Sequence, residues 1–301
     1  DRNAGLARWI ALVGALGGLV AALPLYTGYD PSSAAMQFVE RQPWIESYNV
    51  NYHLGIDGIS LFFVLLSTLL DEVGVKPEAR WVLAEGADAA AMTRSVPMAK
   101  ALDDALLVYG QNGEMLRPEQ GYPMRLLLPG WEGNMNVKWL RRLKVADGPA
   151  HSKDETSKYT DLQPDGKARQ FTFELGVKSI ITFPSFGTKL DRRGLYELTG
   201  IAWSGAGRIS RVEISEDAGK TWRDANLQGP IYSKSFTRFR LPWEWNGNAV
   251  VLQSRAIDEK GNVQPTRAAF VSQYVAGMNY HNHYIQSWAI AADGSISNVF
   301  A

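Results

Sequence analysis

The chain has 301 residues, enough for one large domain or two ordinary ones, and its 31 basic and 31 acidic side chains cancel. That balance excludes the basic surplus of a nucleic-acid binder. The absence of cysteine excludes disulfides, a cysteine nucleophile, thiolate zinc sites and iron–sulfur clusters, and four histidines leave little for a histidine-rich metal site.

The chain starts at Asp1 rather than Met, which reads as a fragment or a processed form. Residues 1–70 carry few charges: Asp1, Arg2, Arg8, Asp30, Glu40, Arg41, Glu46 and Asp57. Trp9 to Tyr29 has none, and much of it (WIALVGALGGLVAALPLY) is apolar on every face. That length spans a bilayer as a helix. The expectation is an N-terminal hydrophobic transmembrane helix over 9–29, with a signal sequence or a buried soluble helix as alternatives. A second apolar run, GISLFFVLLSTLL from Gly58, stops at Asp71-Glu72 and is too short to cross. It reads as a buried helix or a membrane helix cut short. Trp44, Tyr48, Tyr52 and Asp57 between the runs suggest an interfacial loop.

Residues 71–171 have ordinary soluble composition. A short helix is expected over Leu69–Val75, stopped by Gly74 and Pro77. Strands are expected at Trp81–Leu83, Leu106–Tyr109, Met124–Leu128 and Val137–Val145, with one helical turn at Met98–Leu102. Asn112-Gly113 is a hairpin signal. Short strands mixed with short helices indicate α+β.

Residues 172–301 change character. GVKSIITFP, YELTGIAWSG, GRISRVEIS, KSFTRFRLPWEW and NAVVLQSRAI are strand-like runs separated by turns. In RVEIS, Val212 and Ile214 alternate with Arg211 and Glu213 at period two. This spacing predicts an all-β immunoglobulin-like sandwich, with Trp203 and Trp222 as core aromatics. His281 and His283 would share a face of a strand, but no third metal ligand is evident, so no metal site is assigned. Arg141, Arg142 and Lys144 read as a solvated face. Arg238 and Arg240 alternate along one strand and point the same way.

Two resemblances enter here. RWIALVGALGGLVAALPLY with NYHLGIDGISLFFVLL resembles the start of the antiporter-like subunit of the proton-pumping NADH:quinone dehydrogenase. EQGYPMRLLLPGWEGNMNVKWLRRL resembles the molybdopterin-binding stretch of the sulfite oxidase family. GRISRVEISEDAGKTW and RAIDEKGNVQP resemble that family's dimerisation domain. HSKDETSKYTDLQPDGKARQF and MNYHNHYIQSWAIA are similar to its sulfane dehydrogenase branch. The two resemblances meet at LSTLL, residues 66–70, so the chain reads as a chimera of a membrane-type segment, 1–70, a partial molybdopterin domain, 71–171, and the sandwich, 172–301.

The second resemblance implies a molybdenum–molybdopterin oxidoreductase that oxidises a sulfur oxyanion or sulfane sulfur. It also implies a c-type cytochrome as electron acceptor, a homodimer through the last domain, and a periplasmic location. By the same resemblance Arg125 and Lys138 would bind the pterin, and Gln120 stands where many relatives have histidine. Tyr159 matches the active-site tyrosine, and Arg240 the arginine lent to the oxyanion pocket, with Arg238 its rival. The residue chemistry agrees, since an anionic pterin and an oxyanion both need fixed cationic donors. The family's one molybdenum-ligating cysteine has no counterpart in these 301 residues, so loss of catalysis is expected for this chain.

Overall fold

The computed structural model describes residues 37–45, 50–56, 63–111, 114–275 and 281–300. The apolar run at 9–29 lies outside them, as do Tyr48 and Asp57. Strands β1 (Gln37–Ile45) and β2 (Val50–Ile56) pair antiparallel where a loop was expected.

The next unit is built from two three-stranded sheets. One orders β3 (Phe63–Leu65), β6 (Leu106–Val108) and β9 (Arg125–Leu127) side by side; the other has β4 (Trp81–Gly86) between β5 (Thr93–Pro97) and β10 (Leu140–Ala146). Helix α1 (Leu66–Val73) directly follows β3. Leu66 and Leu70, one turn apart, bury the same face. The helix ends at Gly74, whose φ of +71° suits glycine. The second apolar run is therefore split between a strand and a helix. The strand pairs with β6, and the helix puts Leu66 and Leu70 into the core of Val82, Val96, Leu107, Leu126 and Met135. Helix α2 (Met98–Asp103) follows β5, and the short strands β7 (Gly110–Gln111) and β8 (Glu114–Met115) pair around the Asn-Gly dipeptide.

The α+β expectation is corrected here. The helices of this unit are too short to form a layer, and helix α3 (Lys153–Ser157) is a single turn. The architecture is mostly β. Strand β5 was not foreseen. Arg141 and Arg142 are more than a solvated face. A register shift between Leu140 and Arg142 in the β10–β4 pairing lets both guanidinium groups bond the buried Glu85 carboxylate. The Arg141 hydrogen bond is the main cause holding Glu85 below the usual carboxylate range, against the opposing effect of burial.

Strands β11 (Thr160–Leu162) and β12 (Ala168–Gln170) pair and lead into two antiparallel sheets packed face to face, the sandwich foreseen. One sheet orders β13 (Lys178–Phe183), β14 (Gly194–Trp203), β18 (Thr237–Trp245) and β17 (Asn226–Gln228). The other orders β16 (Arg223–Asp224), β15 (Ile209–Ser215), β19 (Val250–Asp258), β20 (Ser287–Ile290) and β21 (Ile296–Val299). In β18 burial alternates strictly, with Phe239, Leu241, Trp243 and Trp245 inside and Arg238 and Arg240 outside. Trp203 and Trp222 are only half-buried, a second correction. Trp203 meets Phe236 edge-on, and Trp222 lies beneath the Arg255 guanidinium.

The two units dock tightly. A Cβ on Gly130 would come within 2.4 Å of the Gly205 carbonyl oxygen, so both positions need glycine. Leu175 N–H donates to Gly130 O, Glu132 N–H donates to Phe173 O, and Lys234 of the sandwich pairs with Asp104. Helix α4 (Arg267–Gln273), capped by the Thr266 hydroxyl, closes the sandwich side. Among the described residues no helix is long and apolar enough to cross a membrane.

Candidate active site

Three of the five expected site residues converge on one loop. Pro118–Gln120 form a single 3-10 turn that ends at Gly121 with φ +112°. The Gln120 side chain accepts from Arg117 N–H and closes the turn. Arg125 reaches back from β9; its Nη1 donates to Gln120 O at 3.1 Å and its Nη2 to Asn136 O at 3.3 Å. Lys138 lies across Gly121, where a Cβ would sit 2.9 Å from the Lys138 Cβ, and its Nζ donates to Glu119 O at 2.7 Å. Trp139 pins the same turn through Nε1 to Pro118 O.

Arg125 has a buried Nε with no hydrogen-bond partner among the described residues. Burial pulls its pKa below the usual guanidinium range. A buried cation with a spare donor, beside an exposed ammonium, is a donor set suited to an anion such as the phosphate of a pterin.

Tyr159 sits at the end of α3, its N–H bonded to Asp154 O. Its ring lies 4.9 Å from the guanidinium carbon of Arg94, a side chain of β5 that is 1% exposed. Arg94 Nε and Nη2 both point at Met135 Sδ, at 3.1 and 2.9 Å. Met135 precedes Asn136, the residue that accepts from Arg125, so the segment from Trp131 to Lys138 links the two groups. Glu155, fully buried, ties β5 to α3. It accepts from Ser95 N–H at 2.5 Å, Ser95 Oγ at 3.1 Å and Ser152 N–H at 3.0 Å.

Arg240 lies elsewhere, on the outer face of the sandwich, half-exposed, with Nη1 donating to Glu197 at 2.9 Å. It and Arg238 line a cleft of about 560 Å³ with Tyr232 and Phe236. His281 and His283 occupy an irregular segment rather than a strand. His281 Nδ1 lies 3.0 Å from the buried Glu132 carboxylate, and its Nε2 accepts from Gly176 N–H. Among the described residues no group of three or more His, Cys, Asp or Glu could hold a metal ion. Arg94 and Glu155 escaped the sequence reading. The polar Thr93-Arg94-Ser95 stretch carries no strand pattern, and Glu155 sits in a charged run that reads as surface. A Ser-x-x-Glu capping box at Ser152 was the available signal.

Comparison with known proteins decides the family. Residues 62–153 match the oxidoreductase molybdopterin binding domain, and residues 169–288 match the Mo-co oxidoreductase dimerisation domain. The chain carries the molybdopterin-binding and dimerisation domains of the sulfite oxidase family. It is 34% identical over 230 residues to mitochondrial sulfite oxidase of Drosophila melanogaster, covering 67% of this chain and 40% of that protein. It is 31% identical over 240 residues to an NADH nitrate reductase of Ulva prolifera, covering 66% of this chain and 28% of that protein. The crystal structure of the sulfane dehydrogenase SoxCD from Paracoccus pantotrophus aligns with TM-score 0.76 and 51% identity, over 78% of this chain and 61% of that one. The chain thus spans less than half the length of these curated relatives. In this sulfite oxidase framework Arg125, Lys138 and Gln120 fall inside the molybdopterin-binding match, and Tyr159 and Arg240 fall outside it.

Proposed function

We propose that these two domains belong to a molybdopterin-dependent oxidoreductase acting on a sulfur oxyanion or sulfane sulfur. The observation that carries this is the convergence of Arg125 and Lys138 on the Pro118–Tyr122 turn, inside the matched molybdopterin-binding domain. Molybdenum–molybdopterin, when bound, supplies two-electron oxidation chemistry. The chain's own residues hold and orient. Arg125 offers Nε and Lys138 its ammonium to the anionic end of the pterin, while Gln120 shapes the turn instead of contributing the histidine of many relatives. Tyr159 presents its hydroxyl to the reacting group. Identity of 51% to the sulfane dehydrogenase SoxCD supports a sulfane substrate, and the sulfite oxidase relatives a sulfite one, while a c-type cytochrome acceptor and a periplasmic location rest on the family resemblance of the sequence alone. The dimerisation match supports a homodimer.

These residues contain no cysteine to ligate molybdenum, so the chain by itself holds the pterin end and lacks a protein thiolate for the metal. Catalysis is therefore expected to be lost in the isolated chain. The sequence joins a segment of separate origin, 1–70, to the rest at LSTLL, residues 66–70; burial of Leu66 and Leu70 and a domain match that starts at residue 62 favour a join ahead of that residue. Sequencing reads that cross codons 60–75 evenly, in single molecules, would remove the assembly-error version of that reading.

Metal and pterin analysis tests the main proposal. Purified chain is expected to retain pterin, detected by fluorescence after denaturation, with molybdenum well below one per chain. Arg125→Ala is expected to lower pterin retention at least tenfold. Equal retention in wild type and variant would overturn the assignment.

A further inference from the structure

We propose that a second copy of this chain covers the outer face of the β13–β14–β18–β17 sheet, related to the first by a twofold axis over the Leu198–Leu241 pair. The proposal names the face behind the homodimer reading and rests on that reading.

The outer faces of the two sheets differ. On the five-stranded sheet, Glu213 alternates with the core residues Val212 and Ile214 and so points outward, yet it is 8% exposed. It pairs with Arg211 and Arg255, and the Arg255 guanidinium lies over the Trp222 ring. The turn carrying Gly219 passes over Gln253, where a Cβ on the glycine would come within 2.8 Å of Gln253 Oε1. This face is covered by its own chain.

The four-stranded sheet is open by contrast. Leu195, at one end of β14, is 77% exposed. Phe236, at the other end of the face, is 67% exposed, and it lines the cleft of about 560 Å³ with Ile201 and Arg238. Arg238 and Glu244 both project outward from β18, and their side chains have no hydrogen bond or ion pair among the described residues. Exposed aromatic and aliphatic side chains beside unspent charges make the composition of a protein contact.

The occupant follows from the strand register. Leu198 lies opposite Leu241 across β14 and β18. Three residues to one side Leu195 lies opposite Glu244, and three to the other Ile201 lies opposite Arg238. A half-turn about the centre exchanges these two rows. It brings Glu244 of one copy onto Arg238 of the other, and Leu195 of one copy onto Ile201 and the cleft of the other. Arg240 then meets the row of Glu197 and Pro242. Every contact occurs twice, as an isologous interface requires. A face of one charge sign would fit an unlike partner; this one is complementary to itself. The match to the dimerisation domain, residues 169–288, spans all four strands.

The full chain is measured by sedimentation velocity over a wide range of concentration. Wild type is expected to be a dimer. E244R sets like charges against each other at both ends of the interface and should raise the dissociation constant about a hundredfold. L195D, which puts a carboxylate into the cleft, should do the same. R238E/E244R exchanges the two charges and should bring the constant back to within about fivefold of wild type. K260E, on the exposed turn after β19, should leave it unchanged. Leu195 and Glu244 are exposed, so neither substitution removes a core contact.

A dimer that survives both E244R and L195D overturns the proposed face and leaves the homodimer reading standing. So does an E244R monomer that R238E/E244R fails to restore, since the Arg238–Glu244 contact would then be absent. A wild-type chain that stays monomeric removes the homodimer reading itself, and the face then belongs to an unlike partner.

Discussion

The two units differ in how much charge their interiors hold, the sandwich burying only Glu213 and Asp258 among its described Asp, Glu, Lys and Arg side chains. The sandwich fills its centre with Phe239, Trp243, Trp245, Leu198, Ile214 and Leu252, all drawn from alternating strand positions. The smaller unit and the segment joined to it bury Arg94, Lys100, Glu85, Glu132, Glu155 and Asp161. Apolar packing needs only complementary shape, whereas each buried charge needs a partner of matching chemistry to offset its desolvation. The sandwich is thus a scaffold, and the charged interior is where local rules are broken in the manner of a functional site. Lys100 illustrates the difference. Burial is the main cause that lowers its pKa, and Asp104 opposes that shift; the Pro129 carbonyl also accepts from the ammonium.

The largest test of this contrast is Trp243→Ala. It removes a fully packed aromatic at 2% exposure and should cost about 3–5 kcal/mol in urea unfolding. A loss below about 1 kcal/mol would mean that the sandwich does not depend on apolar packing. Next comes Glu155→Ala, which strands Ser95 N–H, Ser95 Oγ and Ser152 N–H in the interior. The expected cost is about 2–4 kcal/mol, measured by the same unfolding. Glu155→Gln should fall between, since its amide oxygen still accepts.

The same contrast explains what could be read from sequence. Period-two burial in β18 is visible in TRFRLPWEW, because one face of each sheet meets water. The loop carrying Arg125 and Lys138 was legible through its Gly-Tyr-Pro and Val-Lys-Trp-Leu spacing. Arg94 was not. A buried cation in a five-residue strand has the composition of a surface turn, and only the fold brings Met135, from 41 residues on, to its fork. Arg240 is the converse: its pattern fits the family, and strand alternation places it on the outer face, beside Glu197. The split of the apolar run at Leu66 was equally hidden, since Phe63–Leu65 becomes a strand only by pairing with β6.

Acid sensitivity sharpens the comparison at the junction between the units. His283 packs its ring against Gly176, where a Cβ would come within 2.5 Å, and against Phe270. Burial, with help from His281 and Lys178, lowers its pKa to about 4. Between pH about 6.5 and about 4 the unfolded chain therefore takes up a proton that the folded chain refuses. Stability contributed by this group is full above that window and is lost as pH falls through it. Melting temperature against pH should drop across the window in wild type and drop less in His283→Gln. Parallel curves would remove His283 as the cause.

The smallest effect has the opposite sign. Asp161 is fully buried; Thr172 Oγ1 donates to its Oδ2 at 2.7 Å, while its Oδ1 has no hydrogen-bond partner among the described residues. Burial raises its pKa; the negative Glu132 nearby adds to this, and the Thr172 bond, His281 and Arg169 oppose it. The folded chain thus holds this proton more tightly than the unfolded one. Its contribution is full below pH about 4 and is lost as pH rises through the raised value. Asp161→Asn keeps an oxygen for Thr172 and carries no charge, so it should gain up to about 1 kcal/mol at pH 7 and nothing at pH 3. Unfolding curves for the variant and wild type at those two pH values decide it. A variant weaker at pH 7 would show that the carboxylate is charged and usefully paired, and the interior would then be better matched than its orphan oxygen indicates.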